Sequence, residues 1–279
     1  MCDKLKEKLK DDCKLCDSKG YFSSYKDNIF GHEMGEAFQN MFNDGSGSEL
    51  HSKAEAVHSS SMLSYNFFHW IDEEHPFVFE DVIYTKVLFE VKLKTIKGRA
   101  NPANMDVVLL GKKDEVPYIL FIESKFLEYT QNSQFELRDS YKDGNRWYDS
   151  SVDWNAVIES VPKEKGYLDG IKQTITHLFG IHSTIATHDC KSLSGFDWDN
   201  GKYKFINCIF KPNSEYAERK AYDDYEKIYR KYISKVNNKG LKVVPEWFSY
   251  TDIWHFINPQ ISEQLRDYLC KRYMKYSDI

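Results

Sequence analysis

The sequence predicts an α/β protein in which helices flank a mixed central β-sheet. Two short apolar runs, residues 107–110 and 118–122, flank a polar connection and are typical of buried strands that pair as a hairpin. Residues 166–181 carry apolar side chains at helical spacing, and residues 204–210 predict a third buried strand. Helices and strands in this order pack in layers around one sheet.

Helices are predicted throughout the N-terminal part of the chain. Residues 3–12 are highly charged and predict a short helix. Across residues 28–42, apolar side chains recur at intervals of three or four, which predicts one amphipathic helix. Ser59 or Ser60 is a suitable N-cap for a further helix that reaches Trp70.

The sheet is predicted from the middle of the chain. Residues 77–95 predict one or two strands, because apolar and charged residues alternate around Glu90. The connection at residues 111–117 has a suitable length for a hairpin with a longer loop. After the hairpin, residues 127–160 are irregular and rich in aromatic residues. These rings could stack on nucleic-acid bases, although rings that cover a core are the commoner case.

The C-terminal part predicts a helix from about residue 215 to 236, a strand and turn at residues 243–254, and a closing helix at residues 261–276. Lysines give the second half of the first of these helices a basic side. No internal repeat or strong linker interrupts the chain, so residues 1–279 are interpreted as a single domain. Residues 1–27 are interpreted as an N-terminal extension, and residues 127–160 as an insertion near the active site.

Composition excludes several classes of protein. A chain of 279 residues with 41% hydrophobic and 15% aromatic residues can bury a sizeable core. No apolar run has the length of a membrane span, and the N-terminus has no apolar signal region, so a cytoplasmic protein is expected. The net charge of −5 gives no basic footprint for nucleic acid, although a basic cleft can lie on an acidic protein.

The cysteines indicate reduced thiols, because six of them occur in a long chain without a secretion signal. Cys13 and Cys16 have the spacing of half a zinc site. A second pair normally lies nearby, but the next cysteine is Cys190. Free thiols are therefore favoured over zinc.

The chemistry is expected at the predicted hairpin. Asp106 lies at the start of its first strand, and Glu123 and Lys125 lie at the end of its second. Strand side chains alternate, so Glu123 and Lys125 share one face and Ser124 points to the other. Such charges are costly to bury unless they pair or hold a metal ion, and carboxylates suit Mg²⁺ or Mn²⁺. A surface ion pair on an ordinary hairpin is the alternative.

The pattern of an Asp, a hairpin and then Glu-x-Lys resembles the active-site signature of the PD-(D/E)XK nuclease superfamily. This chain departs from the signature in having Asn-Met, rather than Pro, before the Asp. The wider strings at residues 106–110, 122–129, 45–50 and 58–68 resemble one restriction-endonuclease-like bacterial branch. The resemblance implies a restriction-endonuclease-like core. It also implies that Asp106, Glu123 and the Ser124 carbonyl bind the metal, and that Lys125 positions or activates water.

The resemblance also suggests how the site is completed. In recombination-type members, a Gln on the helix after the Glu-x-Lys strand faces the metal, and Gln173 matches that placement. Lys172 and His177 are weaker candidates, and a satisfied helical histidine is the better expectation for His177. Glu49 is the preferred additional carboxylate. The remaining acidic candidates for this role are Glu90, Glu36 and Glu33.

The function implied is a metal-dependent nuclease that hydrolyses DNA phosphodiester bonds. The alternative is a non-catalytic nucleic-acid-binding or defence-complex protein that keeps the nuclease fold. Lys94, Lys97 and Arg99 form a basic segment that could contact phosphates. The sequence leaves open whether the substrate is single- or double-stranded, whether cutting is endo- or exonucleolytic, and whether a sequence is recognised. It also leaves open the oligomeric state, for which a homodimer is one option.

Overall fold

A computed structural model describes residues 4–45, 50, 53–99 and 101–278. Within these residues one six-stranded mixed sheet forms the centre of the molecule, and helices flank it. This confirms the α/β architecture predicted from the sequence. The strands are β1 (Phe77–Phe79), β2 (Val82–Leu93), β3 (Ala103–Lys113), β4 (Val116–Lys125), β5 (Lys202–Ile209) and β6 (Pro245–Ser249). The helices are α1 (Leu5–Asp12), α2 (Glu36–Asp44), α3 (Ser60–Phe68), α4 (Trp154–Glu159), α5 (Leu168–Thr187), α6 (Glu218–Val236), α7 (Tyr250–Ile257) and α8 (Glu263–Arg272).

The spatial order of the strands equals their order in the chain. Strands β1 to β4 form an antiparallel meander, whereas β4, β5 and β6 are parallel. Parallel neighbours require crossover connections. Helix α5 lies in the connection between β4 and β5, and helix α6 lies in the connection between β5 and β6.

The two faces of the sheet are covered by different helices. The Ser124 hydroxyl lies 3.2 Å from the Ser60 carbonyl at the start of α3 and 2.7 Å from Tyr250 Oη on α7. On the other face, Glu123 lies 3.1 Å from His177 of α5. The predicted alternation of side chains along β4 is therefore confirmed. The apolar residues of β3 and β4 between the two helical layers are fully buried.

The hairpin turn is tighter than predicted. Strands β3 and β4 are joined by two residues, Asp114 and Glu115, with φ angles of 48° and 63°. Positive φ at both central residues defines the type I′ turn, whose twist matches that of paired strands. The expectation of a longer loop at residues 111–117 was wrong, because polar residues continue the strands at their exposed ends.

The predicted helix at residues 28–42 is also wrong in its first half. Helix α2 begins only at Glu36, after two short 3₁₀ turns. Gly31, with φ of 74°, lies within the second of these turns and interrupts the helical conformation there. The buried Asn28 side chain instead donates to the carbonyls of Ala54 and Ala56, at 2.8 Å each.

The other helix predictions differ only in their limits. Ser59 caps α3 by accepting from the amide of Met62 at 3.3 Å, as predicted. Every residue from position 61 to position 68 is buried. Helix α5 continues past the predicted end at residue 181 and stops at His188, which is left-handed with φ of 57°.

Candidate functional site

The candidate site lies where β3 and β4 separate. Their pairing extends as far as Val107 opposite Ile122. Beyond that pair, Asp106 Oδ2 accepts a hydrogen bond of 2.7 Å from the amide of Ser124. A carboxylate thus takes the place of a backbone acceptor, which holds Asp106 beside the end of β4.

Glu123 and Lys125 form a buried ion pair at the end of β4. Their exposed fractions are 3% and 5%, and Lys125 Nζ donates to Glu123 Oε1. Burial would lower the pKa of Lys125, but the carboxylates of Glu123 and Asp106 outweigh it and raise that pKa well above its usual value. Burial raises the pKa of Glu123, although Lys125 opposes it. Burial and the neighbouring Glu123 raise the pKa of Asp106 to about 8.

His177 is the third group around the Glu123 carboxylate. Its Nε2 lies 3.0 Å from the carbonyl of Asn104, so the ring proton on Nε2 donates to that oxygen. Burial lowers the pKa of His177 to about 4, so the ring is neutral at neutral pH. Nδ1 then carries a lone pair, and it lies 3.1 Å from Glu123 Oε2. Neither atom makes a hydrogen bond within the described residues.

This contact suits two atoms that bind the same cation. Ligand atoms about 2.0–2.2 Å from an ion and at right angles to each other lie about 3 Å apart. Two acceptors in contact without a proton repel each other. His177 is thus a satisfied helical histidine at Nε2, as expected, whereas its Nδ1 makes no hydrogen bond with any described residue. The sequence signal was its spacing of four residues from Gln173, which places both on one side of α5.

A cavity of about 750 Å³ opens at the ion pair. Gln173 Oε1 is buried, and it has no hydrogen-bond partner in the described part of the chain. The structure thus brings together the four predicted side chains that it describes. The lining includes Asp106, Glu123, Lys125, Gln173, His177 and Glu90. Their catalytic roles stay predictions.

Glu90 reaches the cavity through an unusual backbone. Its neighbours Phe89 and Val91 pair with Val107 and Met105, so Glu90 lies opposite Asp106. The exposed fraction of Glu90 is 7%, and its φ is 52°. Alternation along the strand predicted that Glu90 lies on the polar face of the sheet, whereas its side chain is buried at the cavity. A left-handed residue other than glycine costs about 1–3 kcal/mol and is enriched at functional sites.

Two of the remaining acidic candidates do not line the cavity. Glu33 and Glu36 are exposed, and neither is among the residues that line the cavity in the described ranges. Glu49 lies outside the described residues. The side chain of Ser124 points to the opposite face of the sheet, which leaves its backbone carbonyl as the predicted ligand.

The basic segment before the hairpin is engaged in other contacts. Lys94 pairs with Asp189, and the guanidinium of Arg99 lies 5.0 Å from the ring centre of Tyr141. Lys97 lies over the ring of Tyr148 at 5.8 Å. Lys97 and Arg99 therefore contact the segment at 139–148, and none of the three side chains lines the described cavity wall.

Several lining residues were not predicted. Glu128 accepts from the amide of Phe126 at 2.6 Å and faces the ion pair. His58 also lines the cavity, and burial lowers its pKa to about 4. Lys6 and Tyr21 bring the N-terminal extension to the rim. Only the position of Glu128, just after the Glu-x-Lys strand, could have suggested its role.

The residues present fit a divalent cation that keeps some of its waters. No group of three His, Cys, Asp or Glu side chains is arranged as a ready metal site in the parts of the chain described above. Lys125 donates a hydrogen bond to Glu123 Oε1, and the Ser124 amide donates one to Asp106 Oδ2. The set is nevertheless rich in carboxylate oxygen, and Glu123 Oε2 makes no hydrogen bond with any residue that the structure describes. Mg²⁺ needs only one or two such carboxylates.

A mixed sheet with two carboxylates and a lysine at the end of a core hairpin defines a restriction-endonuclease-like protein. The chain belongs to the family described as restriction endonuclease associating with ARP, whose model matches residues 6–274. This confirms the resemblance drawn from the sequence, and it indicates a nuclease-like function. No curated protein and no solved structure matches the chain significantly. Among the described helices, none has the length and apolar character needed to cross a membrane.

Proposed function

We propose that the protein is a divalent-metal-dependent nuclease that hydrolyses phosphodiester bonds of DNA. One observation carries the proposal: Asp106, Glu123 and Lys125 meet at the end of a core hairpin and line a large cavity. Burial of ions costs several kcal/mol each unless it is compensated. A structural ion pair would need no adjoining cavity. Membership of a restriction-endonuclease family supports the same function.

Each residue has a distinct role in this proposal. Glu123, Asp106 and the Ser124 carbonyl would hold Mg²⁺ or Mn²⁺, with His177 Nδ1 as a further ligand. The bound ion supplies positive charge for the oxyanion and the leaving group. Lys125 holds the attacking water in line with the phosphorus and offsets charge that grows on the phosphate.

Two further side chains orient the reacting groups. The Oε1 atom of Gln173 is a buried acceptor without a partner in the described chain, so it can accept a hydrogen bond from the attacking water. A carboxylate from Glu90 or Glu49 would complete the site. Glu90 has the stronger support, because it is buried at the cavity opposite Asp106.

The test is cleavage of circular duplex DNA, single-stranded DNA and RNA, each with Mg²⁺, Mn²⁺ or EDTA. Lys125→Ala and Glu123→Ala should abolish metal-dependent cutting of DNA. Lys204→Ala is the matched control, because it also removes a lysine that is paired with carboxylates on the sheet, those of Glu80 and Glu246. This control should cut like the wild type.

Three results would contradict the proposal in different ways. Cutting that survives Lys125→Ala would exclude the assigned site. Cutting of RNA alone would exclude DNA as the substrate. Absence of both cutting and metal binding, measured by calorimetry, would favour a non-catalytic nucleic-acid-binding or defence-complex protein.

A further inference from the structure

A lysine-rich groove adjoins the candidate active site. A second cavity of about 560 Å³ shares Thr130 and Tyr167 with the lining of the first. A third cavity of about 460 Å³ shares Glu164 and Lys231 with the second. The second and third cavities therefore form a groove that leads away from the ion pair along α6. We call it the lysine groove; its lysines are Lys163, Lys165, Lys220, Lys227, Lys231 and Lys235.

The charge of the groove differs from that of the whole protein. Its lysines outnumber its carboxylates, whereas the chain has a net charge of −5. Lys231 pairs with Glu164. Lys220 and Lys227, one on each side of Asp224 in α6, form no ion pair with any described residue. Like charges concentrated in a cleft attract a polyanion, because the low-dielectric walls focus their field.

Tyrosines line the groove beside the lysines. Tyr225 Oη is buried and has no hydrogen-bond partner in the described chain, and it belongs to the lining. Tyr167 stands where the groove meets the active site, with its ring edge-on to Tyr225 at 5.1 Å. Tyr225 and Tyr167 are only 1% and 8% exposed, so they lie beneath the surface of the groove, and the exposed lysines are the groups that face a ligand.

The size of the groove favours one strand over two. Pockets of about 300–1,000 Å³ enclose a single small ligand, which corresponds to one or two nucleotides. A duplex would have to open before one strand could enter. We propose that the lysine groove binds the backbone of single-stranded DNA next to the phosphate that is cut. This inference rests on the proposed function, because it takes the cavity at Glu123 as the cleavage site.

The test is binding of fluorescent oligothymidylates of 4, 8, 12 and 16 nucleotides in EDTA, followed by fluorescence anisotropy. The variant is Lys220→Glu with Lys227→Glu. The matched control is Lys112→Glu with Lys202→Glu. It makes the same charge change at the ends of β3 and β5 that lie away from the candidate active site. Thermal melting of all three proteins checks that each is folded.

The groove variant should bind the 16-mer at least tenfold more weakly than the wild type. The slope of log affinity against log salt should become shallower by about 1.4, since a single strand loses about 0.7 for each phosphate contact. The 4-mer can contact fewer of the groove lysines than the 16-mer, so its affinity should fall less in the groove variant. The control should stay within twofold of the wild type.

Other outcomes would overturn the inference. If the groove variant and the control lose equal affinity for the 16-mer, the cause is the overall change in charge and not the groove. A loss confined to duplex DNA, or tighter binding of a 16-mer of RNA, would assign the groove to another ligand. This binding assay requires neither metal nor cutting. If the protein does not cut DNA but the groove variant still loses more affinity for the 16-mer than for the 4-mer, only the proposed function is contradicted. If cutting depends on Lys125 but the groove variant binds the 16-mer as well as the wild type does, only the inference that the groove binds single-stranded DNA is contradicted.

Discussion

Glu123 Oε2 and His177 Nδ1 lie 3.1 Å apart, and neither atom makes a hydrogen bond within the described residues. When Glu123 is ionised, both atoms are acceptors, because the proton of the neutral ring lies on Nε2, which faces Asn104. This arrangement is unfavourable until a cation lies between the two atoms. In the proposed metal site, His177 would add a nitrogen to the oxygen ligands, and nitrogen favours transition metals over Mg²⁺.

The first prediction concerns this nitrogen. His177→Ala should weaken Mn²⁺ binding by about 10–100-fold, a range typical for groups that support a metal site, and weaken Mg²⁺ binding less. Calorimetry with both ions measures the difference. His182→Ala is the matched control on α5, because His182 is also buried but contacts Asp149 instead. An unchanged Mn²⁺ affinity in His177→Ala would show that the ring is structural.

The second prediction concerns Glu90, whose positive φ places a carboxylate in the cavity. Glu90→Gln keeps the shape of the side chain, so the melting temperature should stay within a few degrees. Loss of the negative charge should lower the cleavage rate by about 10–100-fold, the range typical for groups that support a metal site. Cleavage and melting are measured on the same sample. If Glu90 were only a cross-strand partner, stability would fall and the rate per folded molecule would not.

The third prediction concerns the close contact of α5 and α6. A Cβ atom on Gly170 would overlap Tyr225 Oη and would lie 2.7 Å from Tyr167 Cε1. Gly170→Ala should lower the free energy of unfolding by about 1–3 kcal/mol, as overpacking does, despite the better helix propensity of Ala. Urea denaturation measures this change.

Two further variants isolate the cause. Tyr225→Phe removes the hydroxyl that the new Cβ would strike, so the double variant should recover part of the loss. An added Cβ at Gly35 has nothing within 4 Å, so Gly35→Ala should cost less. Additive losses in the double variant would rule out the proposed clash.

The fourth prediction concerns acid stability. Asp149 is buried, with Oδ2 3.2 Å from His182 Nδ1 and Oδ1 accepting from Ser151 Oγ at 2.6 Å. The hydrogen bond from His182, followed by those from Ser151, holds the pKa of Asp149 well below its usual value. A carboxyl with a lowered folded-state pKa stabilises the fold above its unfolded pKa of about 4 and loses this effect as the pH falls further.

Asp149→Asn should therefore lower the free energy of unfolding by about 1.5–3 kcal/mol at pH 7, the range for hydrogen bonds to charged groups. The difference from wild type should shrink below about pH 4. Urea titrations from pH 3 to pH 7 measure it, with the exposed Asp199→Asn as the control. A difference that is constant with pH would mean that the charge of Asp149 contributes nothing.

The sequence predicted those features that depend on local periodicity. Side-chain alternation correctly placed Glu123 and Lys125 on one face and Ser124 on the other. Capping chemistry correctly placed Ser59 at the start of α3. Membership of a restriction-endonuclease family was predicted from the Asp and Glu-x-Lys motif, because its spacing equals a hairpin.

Features that depend on tertiary contacts could not be decided from the sequence, which named Glu90 and His177 only among several candidates. Glu90 is turned into the cavity by a positive φ, and alternation carries no signal for that. His177 reaches Glu123 only because α5 crosses the sheet at that point. The helix expected from Asn28 fails because the Asn28 amide binds two distant carbonyls. In each case a long-range contact outweighs the local preference.

The sequential strand order has a consequence for synthesis of the chain on the ribosome. Strands β1 to β4 can pair as soon as they emerge, because each partner is the preceding strand. His177 follows Lys125 by 52 residues, and β5 comes later still. During that interval β4 is an open edge, which invites pairing with another chain. Charged residues that point inward are a known protection for such edges, so Glu123 and Lys125 would guard the nascent sheet before they serve in the finished one.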